Sequence, residues 1–392
     1  MTGRDAAGPG AGRTVLEVTP TELARTLEGG APVQLLDVRA PERVERGVVG
    51  PVPDERFFNV RGSELFARDD PEAHGLDPAH EVAVVCGHGN DSLRVAAWLV
   101  SKGYDARSLS GGVTAWMRLS VPRPLAPPEG FDRLVQLDRV GKGALGYLLV
   151  SGDEAAAIDV SRWTDAWERA AEEAGARITA VFDTHVHADY ISGGPALAER
   201  LAAPWYLHPA DMVWPYDGTP GRLGHEPLAE GTDVPIGRGT VRALHTPGHT
   251  EGSVSLVAGD GAVFTGDFLF VDSLGRPDLA GRTEAWSEDL WRSAERARTD
   301  WDPGWVVRPA HYTDSERNRD RSIGRPLARL REENEALRRS AERDAFLAWV
   351  RESERPAPDA YRLMKAINVG LVEAGPDESD ALEAGRHECA LG

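Results

Sequence analysis

Ile178-Thr-Ala-Val-Phe-Asp-Thr184-His185-Val186-His187-Ala188-Asp189-Tyr190 changes character half-way. Its first half is a short apolar run that reads as a buried strand. Its second half sets two imidazoles, a carboxylate and a phenol within six positions. On a strand end, His185 and His187 point to one side and Asp189 follows. A lone His-x-His is usually accidental, but this one has company. His245-Thr-Pro-Gly-His249-Thr250 follows the apolar run 241–244, Phe264-Thr-Gly-Asp267 ends another, and Arg308-Pro-Ala-His311 ends a third. Imidazoles and a carboxylate at successive strand ends make a ligand set for a borderline metal. Two His and one Asp with open positions suit non-haem iron(II), and further His ligands suit zinc.

The flanks fit a layered α/β domain. Segments 145–150 and 155–160 read as a strand pair around Ser151-Gly152-Asp153. Trp163, Trp167, Ala170 and Ala174 mark a helix face, and 254–258, 262–265 and 305–308 are further strand candidates. Strand pairs interrupted by helices predict a sandwich, not a repeated βαβ unit. Segment 328–351 is charged and helical, with Leu330, Leu337, Ala341 and Ala345 as one stripe and Phe346 and Val350 beside it. That stripe is expected to pack on its own domain more readily than in a dimer. The last dozen residues read as frayed, which makes Cys389 incidental.

Upstream, 121–130 carries four prolines and reads as a stiff linker. Before it, 14–120 alternates apolar runs (33–36, 82–85) with helical patterns, one of them placing Leu93, Ala96, Ala97 and Val100 on a face and stopping at Gly103. The run 82–85 leads into Cys86-Gly87-His88-Gly89-Asn90-Asp91-Ser92, a strand-to-helix loop whose N–H groups can stabilise a thiolate. The expected domains are therefore 14–120, a linker at 121–130, 131–330, and a helical extension with tail at 331–392.

A length of 392 residues suits two or three domains at roughly 150 residues each. The net charge of -19 repels phosphate backbones, so nucleic acid is not an expected partner. Two cysteines cannot build a disulfide framework. Met1 to Arg13 lacks the apolar core of a signal peptide and no stretch has the roughly 20 apolar residues of a membrane span, so a cytoplasmic address without membrane contact is expected. A homo-oligomer is compatible with all of this.

His-x-His-x-Asp, Thr-Pro-Gly-His-Thr, Thr-Gly-Asp and a late His, in that order, resemble the signature of the metallo-β-lactamase fold superfamily over 131–330. Leu274-Gly-Arg276-Pro-Asp-Leu279 resembles its persulfide dioxygenase branch, relatives of the hydroxyacylglutathione hydrolases. The resemblance implies an αββα sandwich and one Fe(II) per chain on His185, His249 and Asp267, with Zn as the alternative metal. It further implies oxidation of a low-molecular-weight thiol persulfide, glutathione persulfide or similar, to sulfite and thiol with O2. Tyr190 stands where dinuclear relatives carry a histidine for a second metal. A phenol with a pKa near 10 is a poor ligand, so a single ion is expected. His187, Asp189, Tyr190 and His311 then surround it, or serve a second metal if one binds. Addition of His187 to the ligands would look more like a zinc hydrolase. Arg276 is expected to meet a substrate carboxylate or to form a structural salt bridge.

Leu36-Asp-Val-Arg39, the Cys86 loop and Ser110-Gly-Gly-Val-Thr-Ala-Trp116 resemble the rhodanese-like domain over about 15–120, a three-layer α/β sulfurtransferase fold. This implies Cys86 as the persulfide carrier and Arg39 as a salt-bridge residue. Asp91 replaces the arginine common in active members, and its charge is expected to disfavour both a thiolate and an anionic donor. The leading expectation is a persulfide dioxygenase coupled to rhodanese-like sulfur transfer. The alternatives are a zinc-dependent thioester hydrolase with a non-catalytic rhodanese domain, and a non-enzymatic persulfide-sensing interaction protein.

Overall fold

The computed structural model describes residues 16–44 and 47–391, so the Gly/Ala-rich start at 1–13 lies outside the described residues. The chain forms two compact units, Met1–Leu119 and Ser120–Gly392. Among the described residues no helix is long and apolar enough to cross a membrane.

The first unit is a five-stranded parallel sheet in the order Leu16–Val18, Ala106–Leu109, Val82–Val85, Gln34–Asp37, Phe57–Asn59. Val82–Val85 and Gln34–Asp37 are buried along their whole length, as strands covered on both faces must be. Helix Asn90–Ser101 buries Ser92, Val95, Ala96 and Leu99, not the expected face, and Leu93 is 40% exposed. The reason is chemical. Ser92 must face inward to reach Cys86, and positions 95, 96 and 99 follow it on the same side.

The second unit is an αββα sandwich. One sheet has seven strands: Glu226–Pro227, Trp205–Leu207, Arg177–Phe182, Glu154–Ile158, Ala144–Ser151, Arg133–Arg139 and Ser120–Leu125, in spatial order. The other has six: Asp233–Ile236, Gly239–His245, Val254–Ala258, Ala262–Gly266, Val306–Pro309 and Arg325–Pro326. Tyr147, Leu149, Ile158 and Phe182 meet Val241, Leu256, Phe264 and Val307 in the core between them. The alternate residues Leu148, Val150 and Ala157 face the other way, onto Trp167 and Leu197 of helices Asp165–Ala174 and Gly194–Leu201. Helix Thr283–Thr299 packs with the second sheet through Leu290, Ala294 and Ala297.

Three readings change here. The proline-rich segment is partly a strand, Ser120–Leu125, antiparallel to Arg133–Arg139 at the sheet edge. Pro122 and Pro124 sit two apart, so both missing N–H groups fall on one side of the strand, the arrangement an edge tolerates. The predicted helix at 328–351 is three helices, Leu327–Glu333, Glu335–Arg339 and Arg343–Glu352. The Asn334 side chain caps the second through the Leu337 N–H, and the breaks shift the helical phase. Leu330, Leu337, Phe346 and Val350 therefore enter the core while Ala341 and Ala345 are exposed. The tail is not frayed: the Arg276 N–H donates to the Cys389 carbonyl at 2.9 Å and the Leu391 N–H to Leu274 at 2.8 Å. Cys389 is fully buried.

Sheet topology gathers the loops. Gly239–His245, Ala262–Gly266 and Val306–Pro309 run in the same direction, because the first two flank Val254–Ala258 antiparallel and the third is parallel to the second. Their C-terminal ends deliver His249, Asp267 and His311 to one edge. Arg177–Phe182 of the other sheet delivers His185, tied across by the Val254 N–H on the Thr184 carbonyl at 2.8 Å.

Candidate metal centre

His185, His249 and Asp267 converge, with one ligand atom from each inside a 4.8 Å group. His185 Nε2 lies 3.6 Å and His249 Nε2 3.5 Å from Asp267 Oδ2. All three atoms are buried and make no hydrogen bond. Buried polar atoms are ordinarily satisfied, and three orphans facing one point are what a metal would satisfy.

Hydrogen bonds behind the rings settle which nitrogens face that point. The Thr184 hydroxyl has one proton and lies 3.0 and 3.1 Å from the two Asp159 oxygens, which can only accept. Its oxygen therefore accepts from His185 Nδ1–H at 3.0 Å, leaving the Nε2 lone pair forward. His249 Nδ1–H donates to the Arg276 carbonyl at 3.0 Å, with the same result. Burial holds the His249 pKa down at about 3, so this ring stays neutral. Such outer partners fix ring orientation and tautomer for a metal. The donor set fits a single ion, and neither nitrogen nor carboxylate chooses between iron and zinc.

Asp211 was not anticipated from sequence. It accepts from the Val186 N–H (2.7 Å), the Thr250 hydroxyl (2.8 Å) and the Gly252 N–H (2.7 Å), stapling the His185 loop to the His249 loop. Gly275 of the Leu-Gly-Arg-Pro-Asp motif has an equally local reason. A Cβ there would stand 1.8 Å from the Asp267 carbonyl oxygen, so only glycine lets this turn lie against the metal loop.

Arg276 takes a structural role. Its guanidinium is 1% exposed and grips Asp278 through Nε and Nη2, with the Arg355 carbonyl as a further acceptor. Its remaining nitrogen, Nη1, faces the Glu388 carbonyl at 3.5 Å. Its carbonyl and N–H instead connect His249 to the C-terminal tail.

His187 turns away from the triad. Its Nε2 lies 3.2 Å from Asp159, 3.7 Å from Asp183 and 2.9 Å from the Tyr190 hydroxyl. Burial opposes a charge on this ring, but the two carboxylates outweigh it and raise the pKa well above the ordinary value. Beyond the triad, His311 Nδ1 lies 2.6 Å from Asp267 Oδ1 and Nε2 lies 3.0 Å from Asp189 Oδ2. Burial again opposes its charge, and the two carboxylates win, lifting His311 to about 9. The buried Lys142 ammonium stands 3.7 Å from Asp189. The surroundings of the triad thus hold a buried cation, a phenol, and the Asp189 and His311 side chains. Sequence reading missed Lys142, because a lysine far upstream in a turn carries no motif.

The tail completes the enclosure. The Cys389 thiol is buried near Asp189 and Asp267, and burial followed by those two charges holds its pKa well above the usual thiol value. Cys389, His387 and His311 form a second group of potential ligand atoms within 4.8 Å. Burial and the His311 charge keep His387 neutral, near 3. Asn368 donates to the carbonyls of His187 and Tyr190, both at 2.8 Å.

Residues 141–330 match the metallo-beta-lactamase superfamily and residues 19–119 the rhodanese-like domain. An uncharacterized protein of Mycobacterium leprae is 34% identical over 152 residues, which span 34% of this chain and 68% of that protein. The chain belongs to the metallo-beta-lactamase superfamily. Hydroxyacylglutathione hydrolase from Acidiphilium cryptum is 36% identical over 33% of this chain and 51% of its own length. A solved metallo-beta-lactamase from Staphylococcus aureus aligns at 28% identity over 59% of this chain and 70% of that one, with a TM-score of 0.52. The superfamily's metal-dependent catalysis is thus joined on one chain to a rhodanese sulfur-transfer domain.

In that domain Cys86 accepts the Gly89 N–H at 3.1 Å and lies 3.2 Å from the Ser92 hydroxyl, which is itself 2.9 Å from Ser108. The Val113 and Thr114 N–H groups hold the Cys86 and Gly87 carbonyls. A Cβ on Gly112 (φ +60) would stand 2.3 Å from the Cys86 carbonyl oxygen, which explains the Gly-Gly of the 110–116 motif. Arg39 pairs with Asp37 at 2.6 Å. Asp91 and His88 are exposed, with Asp91 in the first turn of the following helix, so solvent screens the charge that the sequence placed against the thiolate.

Proposed function

We propose that the chain oxidises a low-molecular-weight thiol persulfide at a mononuclear iron held by His185, His249 and Asp267. The net reaction takes persulfide, O2 and water to thiol, sulfite and two protons. Iron(II) supplies the redox chemistry by which both atoms of dioxygen reach the terminal sulfur. The chain's share is geometric: Thr184 and the Arg276 carbonyl orient the two imidazoles, and Asp211 holds their loops in register. The observation that carries the reading is a three-atom ligand set, His185 Nε2, His249 Nε2 and Asp267 Oδ2, buried around one point without hydrogen bonds. In the N-terminal domain, Cys86 takes the sulfane sulfur. Its thiolate attacks the outer sulfur of a persulfide, the S–S bond breaks, and the free thiol leaves.

Likeness to a hydroxyacylglutathione hydrolase supports a second reading, a zinc thioesterase. The two part on one assay. Iron-loaded chain should consume one O2 per sulfite formed from glutathione persulfide and leave S-lactoylglutathione intact. Thioester cleavage by a two-zinc form, without oxygen uptake, would replace the first reading by the second.

A further inference from the structure

This chain draws nearly all its cations from arginine; its only lysines are Lys102, Lys142 and Lys365. Lys365, on helix Asp359–Asn368, is 2% exposed. Among the described residues its ammonium has no hydrogen bond and no ion pair, and the Trp286 ring lies 5.7 Å away. The contrast with Lys142 and Arg276, each set against a carboxylate, is direct. Charges that deep are ordinarily paired. Burial pulls the Lys365 pKa down, as expected for a cation short of a partner.

Lys365 borders a cavity of about 40 Å³ lined also by Val186, Thr250, Trp214, Trp286 and Arg282. That is more than the roughly 10–15 Å³ one water needs. Among the described residues Asp211 is the carboxylate whose charge acts on Lys365, but its oxygens are spent on Val186, Thr250 and Gly252. Val186 and Thr250 adjoin His185 and His249 in the chain, so the cavity backs onto the metal loops. Trp214 and Trp286 give it aromatic walls, and Arg282, engaged by the Pro215 carbonyl and by Glu251 at 3.8 Å, adds a second cation.

We infer that this cavity seats the carrier end of the substrate, with a carboxylate of the low-molecular-weight thiol on the Lys365 ammonium and its stem against Trp214 and Trp286. The assignment rests on the persulfide reading and replaces the role the sequence had suggested for Arg276. It makes Lys365 a specificity residue.

The test is binding to the full chain, followed by tryptophan fluorescence, with glutathione, its diester and coenzyme A as probes. Glutathione should bind wild type saturably, bind Lys365→Met roughly tenfold or more weakly, and bind Lys365→Arg within about threefold of wild type. The diester should bind wild type as weakly as glutathione binds Lys365→Met. The Met variant should melt no lower than wild type, because it removes a charge that forms no ion pair or hydrogen bond among the described residues. Equal binding by wild type and Lys365→Met, equal binding of diester and acid, no saturable glutathione binding, or a lower melting temperature would each overturn the proposal. Lys365-dependent binding of coenzyme A alone would transfer the site from a carboxylate to a phosphate and overturn it in this form. Lys365-dependent glutathione binding without oxygen uptake by the iron-loaded chain would remove the dioxygenase reading and leave the pocket assignment standing.

Discussion

Thr184 lies one position before His185 and decides what that ring can do. Its hydroxyl donates a hydrogen bond to Asp159 and so accepts one from the Nδ1–H of His185. Thr184→Val removes the acceptor, and metal affinity, read by competition with a chromophoric chelator, should fall about 10- to 100-fold with the fold intact. Titration of the metal-free protein is a second test at this scale. His311 has a raised pKa of about 9, so its stabilising contribution is complete below about 6.5 and fades as pH climbs through 9. His249 and His387, near 3, act in the opposite sense. The unfolded chain binds protons there first, so stability falls as pH drops below about 6.5. Melting temperature of the apoprotein should therefore peak in the neutral range, and His311→Gln should make the alkaline limb shallower, with His187 keeping its own share. An unchanged alkaline limb would contradict the bridging role of His311. The candidate ligand residues were legible, because strand-end His and Asp carry their spacing in the sequence. Asp211, Lys142 and Lys365 were not, since each acts from a distant segment that only folding brings near.

Loops and helices show why the motifs have their glycines and where pattern reading slipped. Gly275→Ala would press a methyl group onto the Asp267 carbonyl, and Gly112→Ala would do the same to the Cys86 loop. The first should abolish metal uptake and leave sulfur transfer to cyanide, read as thiocyanate, and the second should do the reverse. Asp211→Ala cuts three hydrogen bonds between the two ligand loops. It should cost roughly 2–4 kcal/mol in denaturant unfolding, along with metal affinity. Half of the eighteen described strands were readable as short apolar runs, with ends displaced by up to two residues. The edge strand at Ser120–Leu125 was hidden by its prolines, whose cost depends on which side of the strand faces the sheet. Helix faces were misread where one inward side chain, Ser92, or one cap, Asn334, reset the phase.

On the scale of the whole molecule, the last nine residues described, 383–391, are part of the metal centre's enclosure. They contribute Cys389 against Asp267 and His387 against His311, whose rings stack at 4.4 Å. Composition gave no hint of this, because a short polar tail with one cysteine looks like any terminus. Two separate chemistries on one chain predict separable losses: Cys86→Ser should end sulfur transfer with oxygen uptake unchanged. The mononuclear reading is exposed most directly by metal analysis of chain purified without oxygen, beside its Asp267→Asn variant. One iron per chain in the wild type, supporting oxygen uptake with a persulfide and lost in the variant, is the predicted result. Two zinc ions per chain, or iron retained without Asp267, would contradict it.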